Sequence, residues 1–196
     1  MAFDYQELER YSLELGVSAA RVFDVTDIVV DERVRMKCEV PFCPDFGTCL
    51  VCPPNSMSVY KFRKILTKYQ KAILIQGKVE FTKTADCGTE QFDISPDLAH
   101  LELKLHKWVN KIESKAMSMG AYFATGFKAS KCRLCEKCVG ISDPGGCRHP
   151  YLARPSVEGV GVDVIATAER VGLGFKLFGG DEMANEIVYT GLVLID

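Results

Sequence analysis

The chain has 196 residues, 24 Lys/Arg against 26 Asp/Glu for a net charge of −2, and 47% apolar residues. That length suits one domain with a proper core, and the apolar content excludes a disordered chain. The near-neutral balance argues against a nucleic-acid partner held by bulk charge, and no uninterrupted apolar run approaches the ~18 residues of a membrane span.

Residues 4–15 predict an amphipathic helix, with Tyr5, Leu8, Tyr11 and Leu15 at helical spacing and Gly16 as the stop. Residues 19–25 read as a first strand, and 26–37 as a short helix capped by Thr26 that leads into Cys38. Ser56 or Ser58 caps a helix reaching about Tyr69, with Val59, Phe62 and Leu66 on one face. The apolar run AILIQ at 72–76 is typical of a buried strand. The strongest helical pattern runs from Pro96 to Met119, with Ser95 as cap and Leu98, Leu101, Leu105, Trp108, Ile112 and Met119 as a core-facing stripe. Gly120 ends it, and a strand is expected over AYFATGF. Pro155-Ser156 is expected to open a further helix to about Val171, with Val160, Val164 and Ala168 inward. A short strand over 174–178 and a clear final strand over 187–195 complete the pattern. The alternation predicts an α/β (or α+β) fold: a single central sheet of about four to five strands flanked by helices. The whole chain, 1–196, reads as a single metal-binding domain with cysteine-rich loops at 38–54 and 130–154.

Those loops carry the chemistry. Cys132, Cys135 and Cys138 lie in KCRLCEKC, and Cys147 follows before Arg148-His149-Pro150. A C-x-x-C-x-x-C run puts three thiolates on one backbone curl, which suits three corners of an iron–sulfur cubane, and a distant fourth cysteine closes the set. Zinc more often takes two separate C-x-x-C knuckles, and remains the alternative. Cys38, Cys43, Cys49 and Cys52 fall within fifteen residues and fit either a zinc-ribbon-like loop or a second cluster. Gly47 can supply a positive φ there, and Pro53-Pro54 turn the chain away. Cys87 stands alone and reads as a small buried hydrophobe. The opening MAFDYQELER lacks the basic and apolar regions of a secretory signal. A cytoplasmic location is therefore expected, where eight clustered thiols read as metal ligands rather than disulfides.

From Lys128 to Arg154 six Lys/Arg face two acids, a net +4, whereas the segment from Pro155 onward carries −5. Cations beside a cubane of charge about −2 or −3 favour its reduced form; the alternative is a solvated loop surface. Arg148 and Arg154 are candidates to hydrogen-bond cluster sulfurs or to pair with Glu158. Ser156 is expected at a helix N-terminus whose free N–H groups point at the cluster. Gly159 and Gly161 would allow close backbone approach. His149 reads as outside the ligand set, because four cysteines already fill it, and His100 and His106 carry no assigned role.

The combined pattern resembles a prokaryotic family of predicted metal-binding proteins of unknown function. The matching residues are Cys52-Pro53-Pro54, CRLCEKC at 132–138, Cys147-Arg148-His149-Pro150 and RPSVEGVGVDV at 154–164. The resemblance covers nearly the whole chain. It implies metal binding, with iron–sulfur favoured, and an early group of three cysteines matching Cys38, Cys43 and Cys52. Cys49 is then a departure and a possible extra ligand, and Ser130-Lys131 replaces expected glycines.

Three functions follow. The first is a protein carrying one or two [4Fe–4S] clusters that passes electrons to a redox partner protein. The second is an enzyme in which a cluster iron lacking a fourth thiolate acts as Lewis acid or redox catalyst. The third is a zinc-stabilised binding module. No Walker loop and no G-x-G-x-x-G after a strand is present, and GLGFKLFGG near 172–180 reads as turns.

Overall fold

A computed structural model describes residues 3–40, 43–80, 96–140, 143, 145–174 and 186–196. Cys87, the expected cap Ser95 and most of the expected 174–178 strand lie outside these residues.

The first helix, α1 (Tyr5–Glu14), starts where the Asp4 carboxylate accepts from the Glu7 N–H at 3.0 Å. It buries Leu8 and Ser12. Strand β1 (Ala19–Asp24) follows, then a single 3₁₀ turn, Val25–Asp27. The helix expected over 26–37 is shorter and later: α2 spans Glu32–Glu39, capped by Asp31 rather than Thr26. The capping oxygen of Asp31 accepts from Arg33 N–H at 2.8 Å, and Asp31 N–H is itself held by Gly161 O at 2.7 Å.

After the first cysteine loop, Ser58 caps α3 (Val59–Leu66), whose Phe62 is fully buried. Strand β2 is longer than the apolar run suggested, Lys71–Glu80. Helix α4 spans Pro96–Ser118, β3 Ala124–Lys128, α5 Val164–Arg170 and β4 Glu186–Ile195. The mixed α/β expectation holds: the described residues form a sheet of four strands in the order β1-β2-β4-β3, antiparallel at each of these pairings.

The helix expected from Pro155 does not form there. Lys128 N–H donates to Pro155 O, Val157 N–H to Lys128 O, and Ser156 N–H to Val51 O, each at 3.0–3.1 Å. These pairings join residues 155–157 to the end of β3 and to the first cysteine loop, so the backbone groups a helix needs are already committed. A 3₁₀ turn at Glu158–Val160 and a left-handed Gly161 (φ 88°) then reset the chain, and Asp163 caps α5.

Helix α4 lies on the sheet against β2, β3 and β4. Leu105, Val109 and Ile112 share one core cluster with Ile73–Ile75 of β2 and Leu192–Ile195 of β4. The helix approaches closely because the strands present glycines beneath it. A Cβ on Gly126 would meet Val109 Cγ1 at 2.4 Å, and one on Gly191 would meet Val109 Cγ2 at 2.6 Å. Phe62 of α3 packs edge-to-face on Phe127 of β3, with ring centroids 5.3 Å apart. The cysteine loops leave this rigid unit at the ends of α2 and β3, beside one another.

Candidate metal centre

The eight described cysteines are free thiols, and their spatial grouping differs from their grouping in sequence. Cys132, Cys135, Cys138 and Cys147 line one small hollow with Leu134, Val139, Arg148 and His149. Cys38, Cys43 and Cys52 line a larger cavity of about 570 Å³. Cys49 belongs to the first loop but faces the second. Cys49 is 4% exposed, and its sulfur lies beside the Cys52 side chain, the Val51 and Cys132 backbones and the Cys138 side chain. These polar neighbours, Cys52 foremost, pull its pKa down to about 5 against the opposing effect of burial. Cys52 moves the other way, raised first by Cys49 and then by burial. Burial also raises Cys38 and Cys132.

The turns that build this arrangement are short. Cys43 N–H donates to Cys38 O at 3.1 Å, and Cys52 N–H to Cys49 O at 3.3 Å. Gly47, at φ 74°, lets its N–H reach back to Pro53 O at 2.9 Å. Gly159 and Gly161 pack closely on the first loop and on α3: added Cβ atoms would meet Pro53 Cδ at 3.0 Å and Val59 Cγ2 at 2.8 Å. Arg35 locks the same junction, its Nη1 donating to Gly159 O at 2.8 Å and Met57 O at 3.0 Å.

The cations of the second loop are mostly spent internally. Arg154 makes a two-pronged pair with Glu113 of α4, Nε to Oε2 at 2.8 Å and Nη2 to Oε1 at 2.6 Å. Its expected partner Glu158 instead accepts from Ser156 Oγ at 2.8 Å. Arg133 pairs with the buried Glu102 of α4, which also accepts from Ser130 Oγ at 2.6 Å. Lys131 pairs with Asp45 of the first loop at 2.6 Å. Arg148 donates to Lys137 O at 3.1 Å and stays exposed. Ser156 is buried, lines the large cavity and accepts from Gly159 N–H at 3.1 Å, so it braces the 3₁₀ turn from just before its start and stands at no helix N-terminus. His149 presents its backbone N–H to Cys147 Sγ at 3.4 Å.

Sequence reasoning missed Lys128. It is the last residue of β3, fully buried, and its Nζ donates to Ala129 O at 2.8 Å, Ser130 O at 3.4 Å and Lys131 O at 2.5 Å. Three carbonyl acceptors call for three N–H protons, which only the ammonium carries. Burial pushes its pKa down, while Glu102, Glu158, Cys132 and Cys52 push it back up. A positive charge therefore sits between the two thiol sets and curls the backbone that delivers Cys132. The signal was a lysine in a strand immediately before a cysteine loop. Glu102, an acid next to Leu101 on the buried face of α4, was a similar one. Tyr189 also lines the large cavity, and burial followed by the Glu102 charge pushes its phenol up to about 12.

These donors fit some metals better than others. Among the described residues, no group of three His, Cys, Asp or Glu side chains is drawn together closely enough to hold a metal ion. The four late thiols line a common hollow, and either a cubane or a tetrahedral ion would draw them further together. An all-sulfur donor set is soft and selects iron–sulfur, zinc or Cu(I) over harder ions.

A family model described as "predicted metal-binding protein (DUF2284)" matches residues 21–195. No curated protein matches the chain, and no solved structure does. No described helix is long and apolar enough to cross a membrane.

Proposed function

The chain belongs to the DUF2284 family of predicted metal-binding proteins, and from that premise we propose that it is an iron–sulfur protein. Cys132, Cys135, Cys138 and Cys147 would hold one [4Fe–4S] cluster, and electrons would pass to a partner protein. The observation that carries this reading is the hollow lined by four cysteines of one loop, three of them in a C-x-x-C-x-x-C run. When bound, such a cluster supplies a one-electron redox centre.

The chain's own residues supply the setting. Lys128 offers a fixed positive charge to thiolates on both sides. The His149 N–H donates to Cys147 Sγ, and the Val51 and Cys132 backbones beside Cys49 favour its anionic form. Burial around Cys49 and Cys52 excludes water. A cytoplasmic location belongs to the same proposal, since thiolate ligands last where disulfides do not form.

One observation favours a second reading. Because Cys49 turns away, Cys38, Cys43 and Cys52 are the cysteines that reach the large cavity among the described residues. A second cluster there would have three thiolates and an open position, as an enzyme that binds substrate at iron needs. Zinc at either thiol set, as a purely structural element, is the competing outcome.

Cysteine-to-serine variants test the assignment. Cys138→Ser is expected to abolish the visible absorbance due to the late cluster, whereas Cys38→Ser leaves that part intact. Equal losses in both variants would contradict two separate thiol sets.

A further inference from the structure

The 570 Å³ cavity lies between α2, the first cysteine loop and the start of α5, and electron transfer makes no use of it. Its size falls within the roughly 300–1,000 Å³ of small-molecule sites. Val34 of α2 forms one wall, and Val162, Val164, Ile165 and Ala166 form another. An eight-atom inorganic core at the thiol end would occupy only part of it.

The charge of the lining is one-sided. Asp163 and Glu169 face it, together with Glu158, whose carboxyl is pushed by burial toward its neutral form, and Lys131 is neutralised by Asp45 at 2.6 Å. Lys37 is the lining cation without an ion-pair partner among the described residues, and it is exposed. Carboxylates beside thiols, in a half-enclosed apolar space, repel an anionic ligand.

We propose that this cavity is a binding site for a small, uncharged, mainly apolar organic molecule that enters between α2 and α5 with its polar end toward Cys38, Cys43 and Cys52. The site stands on cavity shape and charge, so it holds whether or not the thiols carry a cluster.

The probes are 1-naphthol, neutral at pH 7, and naphthalene-1-sulfonate, the same rings bearing an anion. Both are titrated into the anaerobically purified full chain by calorimetry, with iron content measured on the same sample. The expected result is one naphthol site per chain, at least about tenfold tighter than for the sulfonate. Ala166→Phe, which fills the cavity from α5, weakens naphthol by about tenfold or more. Val34→Phe fills the cavity from the opposite wall and carries the comparison if the first variant does not fold. Absence of naphthol binding, equal affinity for the sulfonate, or indifference to both wall substitutions would overturn the proposal. Naphthol binding by a chain devoid of iron supports this site while counting against the cluster reading, so the two failures are distinct.

Discussion

Acid should weaken this fold through His106. The imidazole on α4 is 1% exposed. Its Nε2–H donates to Leu152 O at 2.6 Å, which ties the long helix to the exit of the second cysteine loop. Its Nδ1 is buried with no partner, so a second proton would have nothing to donate to. Burial first, and then the positive charges of Lys128 and Arg154, lower its pKa from 6.5 to about 4 against the opposing effect of the Leu152 hydrogen bond. Between those two values the unfolded chain binds more protons than the folded one. The contribution is therefore fully present above pH 6.5 and is lost as pH falls toward 4. At ~1.4 kcal/mol per unit, the loss by pH 4 comes to about 3 kcal/mol. Urea unfolding of the parent and of His106→Gln, at pH 7 and pH 4, isolates this group because other titrations are common to both. The parent should lose about 3 kcal/mol more than the variant. Equal losses would mean that His106 titrates normally in the folded state, and the burial argument would fail.

Other outcomes follow from the same geometry. Lys128→Met removes the partner of one buried and two part-buried carbonyls and the charge between the thiol sets, so urea unfolding should show a loss of about 3 kcal/mol. Voltammetry should show a lower midpoint potential, and an unchanged potential would remove Lys128 from the electrostatic account. Glu113→Ala strands Arg154, only 14% exposed, and should cost about 3 kcal/mol in thermal or urea unfolding. Gly126→Ala drives a methyl to 2.4 Å from Val109 and should cost about 1–3 kcal/mol; a neutral result would show that α4 can lift off the sheet freely.

Much of this was legible from pattern alone. The stripe from Leu101 to Ile112 gave α4 because its period matches one buried helix face. The run IVYTGLVLI gave β4 because its apolar content and β-branching suit a strand buried within a sheet. The helix expected at Pro155 failed because a proline–serine pair signals a helix start only if the following N–H and C=O groups are free. Here Lys128 and Val51 take them. Asp31 rather than Thr26 caps α2 for a related reason: a long-range bond to Gly161 O fixes the chain at Asp31.

Spacing marked all eight described cysteines but not their partition. Cys49 and Cys52 lie on one turn, yet Cys49 points toward Cys132 and Cys138 while Cys52 reaches the large cavity. That division depends on how two distant loops pack, which local spacing does not encode. The +4 of the second loop was a true count but a poor guide to its surface. Arg133, Arg154 and Lys131 are paired with Glu102, Glu113 and Asp45, and Lys128 is buried.

The most direct test of the metal centre is iron and acid-labile sulfide per chain in protein purified without oxygen. Iron–sulfur ligation by the second loop predicts about four of each, and about eight if the first-loop trio also carries a cluster. Colourless protein with neither, holding zinc or bare thiols at Cys132, Cys135, Cys138 and Cys147, contradicts it.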